Sequence, residues 1–106
     1  MTIITPVHQI SIPSPVCFDR KLSASAKLLY GEIARRCQAQ GYCKLSNQYF
    51  AKLYEVTPKT AANWVTQLEK ASYLRIRFDA SGQQRLLYLE PLAEEEPITN
   101  QISLNL

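Results

Sequence analysis

Between Ser46 and Lys70 the chain reads SNQYFAKLYEVTPKTAANWVTQLEK, and within it Lys59, Thr60, Asn63, Trp64 and Gln67 recur at steps of three and four. On an α-helix that spacing gathers them on one side. Thr, Asn and Gln are short hydrogen-bonding side chains. Clustered beside a lysine, they suit the donor and acceptor edges of bases in a major groove and the phosphates around it. Ser46 and Gln48, just upstream, are candidates for holding phosphates. Arg75, Arg77 and Arg85 follow, with Gln83 between them, and guanidinium groups so placed can neutralise phosphates or enter a minor groove. The competing reading is an ordinary solvated face, with Trp64 half-buried against a neighbouring helix.

These residues need a scaffold, and the pattern around them supplies one. Ser46 is a good N-cap, and Phe50 and Leu53 then fall on one face. Thr57 followed by Pro58 marks a second start, since proline at the first helical position loses no bond. Ala61, Val65 and Leu68 make the inward stripe of that second helix. Two short helices across a tight turn form a helix-turn-helix. Tyr73 to Asp79 then alternates, with Leu74, Ile76 and Phe78 on one side and Arg75 and Arg77 on the other, as in a half-buried strand. Ala80, Ser81 and Gly82 supply a turn, and Gln84 to Leu89 returns as the second strand of a hairpin. Leu86 to Leu89 is apolar on both faces, so a cover is expected from the N-terminal strand, the C-terminal tail or another copy.

Upstream, Ser23 can cap a long helix whose stripe is Ala26, Leu29, Tyr30, Ile33, Ala34 and Cys37, leaving Lys27, Glu32, Arg35 and Arg36 toward water. Gly41 stops it. Tyr42-Cys43-Lys44 reads as a short third strand beside the hairpin, and Gln9 to Ile12 alternates in strand fashion.

The order of Gln9-Ile10-Ser11-Ile12-Pro13, LSASAKLLYGEIA, GYCKLSNQYFAKLYEVTPKTAANWVTQLEKASYLRI and the closing hairpin resembles the winged helix-turn-helix domains of plasmid and phage replication initiators and primosome-loading proteins. The matching segments are Leu22 to Tyr30, Gly41 to Ala51, Val56 to Lys70 and Tyr88-Leu89. Three departures stand out. Phe50 occupies a position where leucine is common, Ala61 and Ala62 replace Val-Ser, and Ala71-Ser72 replaces Lys-Gly before the wing, which asks for a differently shaped turn. The resemblance implies an α+β fold, three helices with a small antiparallel sheet, over residues 9–90. It leaves 1–8 as an N-terminal arm and 91–106 as an acidic tail that serves dimerisation or packing. It also implies binding of double-stranded DNA in replication initiation or transcriptional regulation. Winged helices serve as protein-binding adaptors too, and for that alternative Trp64 with the Leu87, Leu89 face is the expected docking surface for a replication protein.

Composition narrows the rest. In 106 residues, 46% hydrophobic and 20% charged, there is room for one ordered domain. The net charge of +3 understates the body. Glu90, Glu94, Glu95 and Glu96 hold four of the nine acidic residues, so the remainder sets 12 basic against 5 acidic groups, a balance of +7. Such a body attracts polyanions, and steeply less so as salt rises. No apolar run approaches the ~20 residues of a membrane span, and the N-terminus lacks the pattern of a signal peptide, so the expected location is the bacterial cytoplasm, at nucleoid or plasmid. Cys17, Cys37 and Cys43 are odd in number, without CxxC spacing, and His8 is the one histidine; neither a disulfide framework nor a metal site is expected. No phosphate loop or catalytic constellation can be placed, so the chain reads as a binding protein, not an enzyme, without a cofactor. Because operator-type DNA sites are symmetric, a homodimer is expected.

Overall fold

Each of the three long helices begins where a hydroxyl residue can satisfy an otherwise orphaned backbone donor. Ser23 Oγ accepts from the Ala26 N–H at 3.2 Å, Ser46 Oγ from Tyr49 at 3.1 Å and Thr57 Oγ1 from Thr60 at 3.1 Å. Such caps are each worth about 1 kcal/mol. The computed structural model describes residues 9–92, so the arm at 1–8 and the tail beyond Leu92 lie outside the described residues. Within them the elements run α1 (Ser14–Cys17), α2 (Ala24–Gln40), α3 (Asn47–Tyr54), α4 (Pro58–Lys70), β1 (Leu74–Phe78) and β2 (Arg85–Leu89). This is the expected α+β winged helix, with α1 as an additional single turn. Pro15 sits in the first turn of α1, where its missing N–H costs nothing.

The core is assembled by α2. Its Leu29, Tyr30 and Ile33 share one buried cluster with Phe50 and Ala51 of α3, Ala61, Val65 and Leu68 of α4, and Leu74 and Leu87 of the hairpin. In the hairpin, Leu74 pairs with Leu89, Ile76 with Leu87 and Phe78 with Arg85, so these six residues share the face turned to the helices. Arg75, Tyr88, Arg77 and Leu86 share the other. Cys43 exchanges two backbone hydrogen bonds of 2.9 Å with Leu87, so the anticipated third strand is one bridge beside β2. On the outer face, Tyr88 is covered by the Tyr42 ring at 6.0 Å and the Arg75 guanidinium at 5.2 Å. The apolar face of β2 therefore finds part of its cover locally.

Several expectations need correction. Gln9 to Ile12 alternates in burial but forms no strand: Ile10 lies against Gly31 on α2, where a Cβ added at Gly31 would come within 2.9 Å of Ile10 Cδ1. No strand edge is within its reach there, and a helix surface offers it no ladder. Glu32, expected in water, is 1% exposed and pairs with Arg35 at 3.1 Å and Arg36 at 3.4 Å. Ile10, Leu28, Leu53 and Tyr54 line a pocket with it. Leu53, expected on one face with Phe50, is 42% exposed while Phe50 is buried, and Ala51 joins Phe50 in the core.

The turn into the wing also differs from expectation. Ser72, standing where a glycine is usual, keeps the left-handed conformation with φ of 67°. The Tyr73 N–H donates to the Leu68 carbonyl and the Ser72 N–H to that of Glu69, both at 2.9 Å, the paired bonds of a Schellman C-cap. The turn keeps its usual shape and carries the strain of a side chain at positive φ. Glu55, at the turn between α3 and α4, does the same with φ of 57°. Ser72→Gly is therefore expected to raise stability by about 1 kcal/mol, measured as a higher urea midpoint at unchanged slope.

Candidate nucleic-acid interface

Burial of Ala61, Val65 and Leu68 fixes how α4 is rotated about its own axis, and with it which side chains face outward. At 100° per residue the opposite row is Lys59, Asn63, Thr66 and Lys70, and all four are exposed. Lys59 and Asn63 were expected. Thr66 and Lys70 were missed, although continuing from Lys59 and Asn63 by alternating steps of four and three reaches both.

The residues one step further round are partly committed. Thr60 is half-buried, and its hydroxyl accepts from Thr57 Oγ1 at 3.0 Å, keeping its own proton to give. Trp64 is half-buried, packed against the core and edge-on to Tyr54 with centroids 5.8 Å apart. Gln67 requires a correction. Its Oε1 accepts from the Ser23 backbone N–H at 2.9 Å and its Nε2 donates to Asn63 Oδ1 at 2.9 Å. It ties α4 to the start of α2, and both ends of its amide are engaged within the fold.

On α3, Ser46 and Gln48 lie exposed at the helix start, where backbone dipoles favour an anion. The Ser46 oxygen is used by the cap, while its hydroxyl proton remains available to a phosphate oxygen.

The three wing arginines have separate fates. Arg77 is exposed, bonds to the neighbouring Ile76 carbonyl at 2.8 Å, and makes no ion pair among the described residues. Arg75 lies over Tyr88 and pairs with Glu90 at 3.2 Å, both partners partly exposed. A pair of that kind is worth about 0–1 kcal/mol, so a phosphate can displace the carboxylate at little cost. Arg85 is turned inward. It donates from Nη1 to Asn47 Oδ1 and from Nη2 to the Leu45 carbonyl, each at 2.8 Å, and desolvation depresses its pKa. It fastens β2 to the segment ahead of α3, and phosphate contact is not open to the bonded nitrogens. Strand parity carried the signal, because Arg85 has the same parity as the inward Leu87 and Leu89.

Between the strands, Asp79 organises the wing tip. Its Oδ1 accepts from Ser81 Oγ at 2.6 Å and from the Gly82 N–H at 3.1 Å, and the Ser81 bond is the main reason its pKa is lowered. Gly82 takes φ of 77°. The tip leaves Gln83 exposed, together with Phe78, whose place in the alternation promised an enclosed ring. Phe78 pairs with Arg85 at the open end of the sheet, past the reach of the helices.

Some alternatives lose their residues. The docking face built on Leu87 and Leu89 is absent as a surface, since Leu87 is fully buried and Leu89 packs against the core. Cys43 is buried, and burial pushes the Cys37 thiol up to about 11, which leaves it a poor nucleophile at neutral pH. Among the described residues no helix is long and apolar enough to cross a membrane.

The two unlike arginines can be told apart by stability. Arg85→Ala is expected to cost about 1.5–3 kcal/mol, the usual loss for hydrogen bonds to a charged group, whereas Arg77→Ala should stay within about 0.5 kcal/mol of the parent. Urea denaturation of both variants makes the comparison, and equal effects would contradict the assignment.

Comparison with known proteins agrees with this geometry. A family model described as a helix-turn-helix domain matches residues 20–74, a span that takes in α2, α3, α4 and the first residue of β1, just over half of the chain. No curated protein and no solved structure matches. The match supports DNA as the partner. With the capped α3, the turn at Glu55 and the outward-facing α4 in place, the chain belongs to the helix-turn-helix domain family.

Proposed function

We propose that the protein binds double-stranded DNA through the major groove and serves replication initiation or transcriptional regulation, with no catalytic step of its own. One observation carries the reading. The outward row of α4, Lys59, Asn63, Thr66 and Lys70, is exposed, and its two lysines make no ion pair among the described residues. Lysines at both ends of a row with Asn and Thr between them suit a helix that lies between two phosphate strands and reads bases in the middle. Ser46 and Gln48 at the start of α3 would hold one phosphate strand, and Arg77, with Arg75 once released from Glu90, would hold the duplex beside the wing. Thr60 would add a hydroxyl donor at the edge of the row.

The resemblance to plasmid and phage initiators favours replication over transcription as the process served. A two-fold-symmetric duplex site bound by two copies of the chain, and contact with a replication protein, belong to the same reading. So does residence in the bacterial cytoplasm, at nucleoid or plasmid.

Selection from random duplexes followed by gel shift tests it. The protein should enrich a defined sequence. Asn63→Ala should relax preference at one position by about 1–3 kcal/mol. Arg77→Ala should weaken all duplexes alike and flatten the dependence of log K on log salt by about one unit. A folded protein that retains no duplex at low salt would overturn the reading.

A further inference from the structure

We propose that Gln67 orients Asn63 so that its Nδ2 hydrogens are free and its Oδ1 is already shared, which biases it toward an acceptor edge, guanine N7 and O6 or thymine O4, over the adenine edge that asparagine ordinarily reads with two bonds. The inference rests on the duplex-binding reading and adds to it the class of base that the central residue of the row accepts.

Three groups act in series. The Ser23 backbone N–H can only donate, so the Gln67 atom 2.9 Å from it must be the carbonyl oxygen Oε1. That assignment turns Gln67 Nε2, which can only donate, toward Asn63, and the atom facing it at 2.9 Å must therefore be Oδ1. Asn63 is left with its Nδ2 hydrogens unengaged and its oxygen holding one of the two bonds it can accept. The relay starts from a main-chain group that cannot flip, so neither amide can reverse without breaking a bond. Ser23 is the N-cap of α2, and its N–H is the donor that a Glu or Gln three residues further on would normally satisfy; Ala26 stands there, and Gln67 does the task from α4. Gln67 is thus a positioning residue, half-buried and acting on DNA through its neighbour.

Reading adenine with two bonds needs both an outward acceptor for N6 and an outward donor for N7. The relay occupies one lone pair of that acceptor and fixes which way the amide faces, so the second bond to adenine is disfavoured. Cytosine, which offers only its N4 donor in that groove, is disfavoured for the same reason.

Gln67→Glu provides the test, because a carboxylate can still accept from Ser23 but cannot donate to Asn63. In that variant the carboxylate draws the Nδ2 hydrogens of Asn63 inward, so the outward atom of Asn63 changes from donor to acceptor. Preference at the Asn63-dependent position, identified by the loss seen in Asn63→Ala, should move from guanine or thymine to cytosine or adenine by roughly tenfold or more. The added negative charge weakens all duplexes together and leaves that ratio untouched. Gln67→Leu, which removes both bonds, should free the Asn63 amide and narrow the discrimination between guanine and adenine. In the protein without DNA, proton exchange should be slow for the Gln67 side-chain amide and fast for that of Asn63. A parent protein selecting adenine or cytosine at that position, an unchanged preference in Gln67→Glu, or a protected Asn63 amide would each overturn the proposed orientation of Asn63 while leaving duplex binding intact. Absence of all duplex binding would instead remove the reading on which it rests.

Discussion

The rotation of α4 about its axis is the constraint on which everything else depends, and it is set by the burial of Ala61, Val65 and Leu68. A thirteen-residue helix has one apolar stripe, and turning it by a single residue would press Thr66 and Glu69 into the core in place of Val65 and Leu68. The methyl group of Ala61, wholly enclosed, lets α4 pack close. Packing on one side therefore decides presentation on the other. The row Lys59, Asn63, Thr66 and Lys70 faces outward because the three apolar residues do not.

Much of this was legible in the chain. Caps at Ser23, Ser46 and Thr57, the stop at Gly41, the inward stripe of α4 and the alternation of β1 are all local signals, each decided by a few neighbouring residues. What escaped was the partnership of long polar side chains. Gln67 is held by Ser23 and Arg85 by Asn47 and Leu45, contacts that join residues far apart in sequence; strand parity turns Arg85 inward, but no helical or strand period names these partners. Glu32 was misplaced because a carboxylate off the core stripe reads as solvated, whereas its pairing with Arg35 and Arg36 lets it be buried. Ser72 shows a different failure, in which the turn's hydrogen bonds prevail over the preference of its residue for negative φ.

These partnerships sort the polar groups into those that build the domain and those left for a ligand. Arg85 and Gln67 hold elements together, and Tyr73 joins them by donating to Asp19 at 2.7 Å, a bond that pushes its pKa up to about 12. Arg77, Lys59 and Lys70 have no such work. A net charge of +3 hides this division, since part of the positive charge is engaged inside the fold and part of the negative charge lies in the C-terminal segment. Position, more than total charge, determines where a polyanion would settle.

Titration of the labelled protein with a selected duplex, followed by backbone and side-chain NMR, tests the central claim most directly. The account predicts shifts concentrated at Lys59, Asn63, Thr66, Lys70 and Arg77, with the buried Ala61, Val65 and Leu68 moving little. Shifts confined to the exposed Leu28 and Leu53, with the outward row of α4 unchanged, would contradict it.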